Sequence, residues 1–146
     1  MRIVHSSVEI ARDFKPVSAL ELNVLFTSTR ATIAAANVAG TLARDLGARI
    51  RVIVPQVVPF PLPLSEPTVK PEFTANRIHA VLSRYPLGVD VDVQVCLCRE
   101  KWSAALTALK PESLVLIGGR RGFWPTEESR LARALQRRGH EVVFVE

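Results

Sequence analysis

The chain has 146 residues, of which 48% are hydrophobic and 23% charged, the size and balance of one globular domain rather than of a disordered segment. A formal net charge of +5 invites a nucleic-acid partner, but the arginines are scattered and aromatic residues make up only 6%, too few for base-stacking platforms, so none is expected. No apolar run approaches the ~20 residues of a membrane span, MRIVHSSVEIARDFK lacks the apolar core of a secretory leader, and two cysteines, Cys96 and Cys98, make no disulfide framework, all of which points to a cytoplasmic protein.

Residues 1–21 stand before the regular pattern as an N-terminal extension, in which RIVHSSVEI reads either as an extra strand on a sheet edge or as an arm onto a neighbouring chain. NVLFTS (23–28) reads as a buried strand. RATIAAANVAGTLARDLG (30–47) follows as a helix with Ala35, Val38, Leu42 and Leu46 on one stripe and Gly47 as its C-cap. RIRVIVP (49–55) is a second strand, stopped by proline.

Residues 55–72 contain six prolines, which forbids both helix and central strand and predicts an extended surface connection. EFTANRIHAVLSRY (72–85) is a helix. VDVDVQVCLC (89–98) alternates valine with polar residues, the period of a strand solvated on one face, at an edge or half covered. KWSAALTALK (101–110) is a short helix ended by Pro111, and SLVLIGG (113–119) is continuously apolar, as a central parallel strand should be. TEESRLARALQRRG (126–139) is the last helix and EVVFVE (141–146) the last strand.

Alternating strands and helices from residue 22 to 146 predict one α/β domain: a doubly wound, five-stranded parallel sheet of order 3-2-1-4-5, with helices on both faces. Ligands of such sheets lie beyond the carboxyl ends of the strands, where strand order reverses. The loops in question are TSTRAT (27–32) and GGRRGFWPTEES (118–129). In the second, glycines can expose backbone N–H groups, a helix start adds positive potential, and Arg120 and Arg121 can add charge-assisted bonds to an anion. It is not a GxxxxGK[ST] loop, and its glycines do not follow the first strand as GxGxxG would. Thr126 with Glu127 and Glu128 also forms a good helix start, a hydroxyl cap and two carboxylates at the positive end. The anion site is therefore expected to be filled from within, with Arg120 and Arg121 pairing those carboxylates.

No catalytic constellation appears. His5, His79 and His140 are far apart, Cys96 and Cys98 form a C-x-C pair without a further ligand, and no GxSxG elbow is present. Neither a metal site nor catalytic residues are expected, and a small hydrolase or transferase on the same sheet is the least supported alternative. The last strand, 141–146, reaches the end of the pattern with nothing to cover its edge, which favours pairing with a second copy into a homodimer.

The stretches NVLFTSTRATIAAANVAGTLARDLGARIRVIVPQVVP, CREKWSAALTALKPESLVLIGGRRG and SRLARALQRRGHEVVFV resemble the universal stress protein family in element order and spacing. The resemblance implies a non-enzymatic, homodimeric stress-response or regulatory protein that dimerises through its last strand. It also implies a nucleotide site: an aspartate after the first strand near adenine and ribose, and a G-x-x-G loop followed by nine residues and G-[S/T] on the phosphates. Thr29 stands at the aspartate position, and Gly119 and Gly122 match the two glycines around Arg120 and Arg121. Ser129 matches the later Ser/Thr only across a shortened loop of five residues, with Glu128 in place of the glycine. The site is thus expected to be degenerate and without cofactor. The alternative is that Thr29, Gly119, Arg120, Arg121, Gly122 and Ser129 hold ATP, AMP or another anion.

Overall fold

The computed structural model describes residues 2–6, 20–120 and 125–146. Its elements are β1 (Arg2–Ser6), β2 (Glu21–Leu25), α1 (Thr29–Leu46), β3 (Arg49–Val57), α2 (Pro71–Leu82), β4 (Val91–Cys98), α3 (Lys101–Ala108), β5 (Leu114–Gly118), α4 (Glu127–Arg137) and β6 (Glu141–Val145). They form a six-stranded sheet of order β1-β4-β3-β2-β5-β6. The five strands from β2 to β6 are parallel, in the expected order 3-2-1-4-5 when counted from β2. β1 adds antiparallel to the outer edge of β4, with Ile3 opposite Cys96 and His5 opposite Gln94.

β2 and β5 are interior strands, covered on both faces: Leu22, Val24, Leu25, Val115, Leu116 and Ile117 are all fully buried. α1 and α2 cover one face, over a core that includes Leu22, Val24, Val52, Val54, Val93 and Val95. α3 and α4 cover the other, over Leu25, Ile53, Cys96, Val115 and Ile117. On that second face a polar tie joins elements that are distant in sequence. Arg51 donates from Nε to Asn23 Oδ1 at 3.0 Å and from Nη2 to the Ala108 carbonyl at 2.8 Å, while Asn23 donates to the Leu114 carbonyl at 3.2 Å.

Three expectations are corrected. Proline does not stop β3, which runs through Pro55, opposite Cys96, to Val57, so the connection begins only after it. In α1 the buried face is Thr32, Ala35, Ala36, Ala39, Gly40 and Ala43, whereas Val38 and Leu46 are exposed. The helix presents its smallest residues to the sheet and so approaches closely; a Cβ at Gly40 would lie 3.1 Å from the Leu87 carbonyl oxygen. In β4 the expected solvated face is absent, since Val93 to Cys98 are all buried beneath helices on both sides, with β1 on the edge. Gln94 Oε1 is buried with no hydrogen-bond partner among the described residues.

Helix ends follow their local chemistry. Ser28 caps α1 by accepting from the Ala31 N–H, and Gly47 ends the helix with φ 64°, a left-handed residue that costs glycine nothing. Pro71 opens α2 at its first turn. Thr126 caps α4 by accepting from the Ser129 N–H at 3.2 Å, as the hydroxyl and following carboxylates predict.

Candidate functional site

The first turn of α1 lies at the carboxyl ends of β2 and β5, where the strand order reverses. An opening lies on each side of it. The first, of about 550 Å³, lies between α1 and α2 and under the proline-rich connection, and Phe26, Thr29, Ile33, Val54 and Ile78 are among its lining residues. The second, of about 620 Å³, is lined by Ser28, Arg30, Ala31, Ala34, Gly119, Arg120, Thr126, Glu128 and Glu146.

The second opening contains the described part of the expected phosphate loop, and one backbone donor of it is used internally. The Gly119 N–H donates to the Val145 carbonyl at 2.9 Å, so it belongs to the β5–β6 ladder. Gly118 is there for packing: a Cβ would overlap the Ala31 carbonyl oxygen, and the Gly118 carbonyl accepts from Thr27 Oγ1 at 2.8 Å. Gly119 is likewise covered, since a Cβ there would meet Glu128 Cβ at 2.9 Å and Phe144 Cζ at 3.1 Å. Thr126 Oγ1 donates to the Arg120 carbonyl at 3.2 Å, which ties the strand end to the helix it caps.

Of the sequence-predicted site residues, Gly119 and Arg120 meet in this opening with Thr126 and Glu128. Ser129 stands in the first turn of α4, where its hydroxyl donates to the Thr126 carbonyl at 2.9 Å. Thr29 lines the other opening. Arg121 and Gly122 lie outside the described residues. Glu127 Oε1 accepts from Trp102 Nε1 at 2.6 Å; the expected pairing with Arg121 lies outside the described residues. Trp102 is in turn covered by the Lys101 ammonium, 4.5 Å from the ring centroid. Arg30 was not foreseen as a site residue, although it occupies the first turn of α1 in the loop after the first strand, where position alone could have marked it.

Outside these openings His140 and the two cysteines are buried in the fold. His140 is buried and its Nδ1 accepts from the Ser113 N–H at 3.1 Å. Cys96 and Cys98 are buried and free. Burial, with Cys98 adjacent, pushes the Cys96 thiol up to about 11, against a smaller opposing effect of Arg51, and burial raises the Cys98 thiol as well. Both remain protonated at neutral pH and are poor nucleophiles. Among the described residues no three His, Cys, Asp or Glu side chains gather as a metal site. No helix among them is long and apolar enough to cross a membrane.

No protein-family model matches the chain, and no curated protein matches it by sequence. Solved structures do. A universal stress protein family member from Burkholderia pseudomallei is 17% identical with a TM-score of 0.59, the match covering 90% of this chain and 98% of that one. A universal stress protein from Archaeoglobus fulgidus is 12% identical with a TM-score of 0.58, over 87% of this chain and 93% of that one. A structure of the universal stress protein from the same organism in complex with dAMP is also 12% identical, with a TM-score of 0.55, over 90% of this chain and all 100% of that one. The chain therefore has the universal stress protein fold, carried by a sequence that has diverged widely from these neighbours.

Proposed function

We propose that the protein is a non-enzymatic, cytoplasmic stress-response or regulatory protein that acts as a homodimer and whose nucleotide site has degenerated. One observation carries the degenerate site: the Gly119 N–H is bonded to Val145, and the Glu128 side chain lies over Gly119, in the place where a phosphate would need an open donor. A carboxylate there repels phosphate by about 1 kcal/mol or more at the dielectric of a surface cleft. The test is calorimetric titration of the purified protein with ATP, AMP and inorganic phosphate. No heat and no thermal shift at millimolar ligand is the expected result, and saturable binding of any of the three overturns the reading.

The dimer rests on β6. It closes one side of the sheet; Glu141 donates to Ser113 and Val145 accepts from Gly119. Strand alternation then turns the N–H and C=O of Val142 to the outer edge, where a second copy can pair with them. Sedimentation at micromolar concentration should show a dimer for the native chain and a monomer for Val142→Pro, which removes the outward donor. A monomeric native chain refutes the dimer.

A second reading has a specific observation behind it. A neighbour of the same fold was solved with dAMP, and Arg30 and Arg120 both line the opening beside Gly119. In that reading the opening takes an adenine nucleotide or other anion in spite of Glu128, and the same titration decides between the two.

A further inference from the structure

The cavity between α1 and α2 differs in chemistry from the opening beside Gly119. Phe26, Ile33, Val54, Ile78, Val81 and Leu82 give it apolar walls, and its volume of about 550 Å³ is in the usual range for a small-molecule site. Several of its polar side chains are already satisfied by the protein. Thr32 Oγ1 accepts from the Thr27 N–H at 3.2 Å. Gln56 donates to the Val69 carbonyl at 2.7 Å and accepts from the Thr74 hydroxyl at 2.6 Å. The interior thus asks little hydrogen bonding of a ligand.

One lining residue carries a formal charge. Arg77, exposed on α2, forms no ion pair or hydrogen bond with another described residue, and no carboxylate among them lines the cavity. Around the mouth apolar surface stands in water: Phe73 is 64% exposed, Val57 47% and Val69 45%, a rim that a ligand would cover. An ammonium ligand would meet Arg77 with nothing to neutralise it. An oligophosphate would meet one cation and mostly apolar walls. A single carboxylate on an apolar body matches both features, since one guanidinium binds one carboxylate in a bidentate pair and apolar walls gain by displacing water.

We propose that this cavity binds an amphipathic monocarboxylate, its aliphatic or aryl body between α1 and α2 and its carboxylate on the Arg77 guanidinium. The proposal goes beyond the opening beside Gly119; of the residues expected to form the nucleotide site, this cavity holds Thr29.

The experiment is calorimetry on the full chain with four probes, dodecanoate, 4-phenylbutyrate and the two corresponding alcohols, and with AMP as a fifth. Both or one of the carboxylates should bind saturably, the alkyl and aryl arms showing which body fits. Arg77→Ala should weaken the carboxylates by about tenfold or more while changing the alcohols by less than about twofold, the signature of a lost charge pair. Arg77 is exposed, so this variant keeps its fold, which a melting curve checks. Val81→Trp, which fills the cavity, should abolish binding of all four. Absence of carboxylate binding to the native chain overturns the proposal, as does carboxylate affinity unchanged in Arg77→Ala. AMP separates the two conclusions: silence from every probe removes this proposal and leaves the degenerate nucleotide site standing, while binding of both carboxylate and AMP does the reverse.

Discussion

The two openings flank the same turn of α1 and are of similar volume, yet one has apolar walls and the other is lined by the chain's own charges. Beside Gly119, Glu128 and Phe144 lie against the glycine and the backbone donor goes to Val145. Between α1 and α2, Gln56 holds the proline-rich connection to α2 and the apolar walls stay apart. Both lie where a doubly wound sheet places ligands. Position in the fold therefore marks a region, and side-chain chemistry decides which part of it can accept a ligand and of what kind.

The strongest way to break the contrast is at Gly118. Because α1 packs on it through the Ala31 carbonyl, Gly118→Ala must push helix and strand apart. Overpacking of backbone against backbone, with no flexible side chain to yield, should cost about 3 kcal/mol or more, read as a fall in the urea midpoint at unchanged slope. A phosphate-binding role alone would leave stability nearly untouched.

On the other side, Gln56→Ala removes the link from β3 to Val69 and Thr74. Two hydrogen bonds of a half-buried amide should be worth about 1–2 kcal/mol together. Hydrogen exchange should accelerate in residues 66–70 and not around Gly119. Equal acceleration at both openings would mean that they are one mobile unit.

Glu128→Gly sharpens the comparison from the charged side. It restores the residue that the universal stress protein pattern has before Ser129 and removes the side chain lying over Gly119. Affinity for AMP or inorganic phosphate should rise by about tenfold, equivalent to about 1.4 kcal/mol, against a helix penalty of about 1 kcal/mol in stability. If native and variant bind phosphate alike, Glu128 is not what closes the opening.

Much of this architecture was legible in the residues. SLVLIGG is apolar without interruption, as a strand covered on both faces should be, and it is β5, an interior strand between β2 and β6. The errors share a physical origin. α1 buries alanines and exposes Val38 and Leu46, because close approach to a sheet rewards small side chains and a stripe drawn through the largest apolar residues misses it. β4 looked half solvated from Asp90, Asp92 and Gln94, but pairing with β1 and cover from helices on both sides are contributions of distant segments. The α1–α2 cavity had no local signal at all, since it is the gap left between Phe26, Val54 and Val81, residues far apart in the chain.

The smallest expected effect concerns the residue on which the loop reading was most specific. Glu127 was expected to hold Arg120 and Arg121; it accepts from Trp102 Nε1 at 2.6 Å, at an exposed position. Trp102→Phe keeps an aromatic ring in place and removes only that donor. Water can solvate the carboxylate, so the loss should be about 0.5–1.5 kcal/mol, the net worth of a single hydrogen bond. It should also vary little with salt, because an indole N–H carries no charge to screen. An arginine pair to the same carboxylate would behave otherwise: Arg120→Ala would show the loss, Trp102→Phe would not, and added salt would shrink it within a Debye length of about 10 Å at 0.1 M. Denaturation of the two variants at low and high salt thus decides which partner orders the start of α4. If it is Trp102, then Arg120 is not committed to Glu127, and the closure of the opening beside Gly119 rests on Glu128.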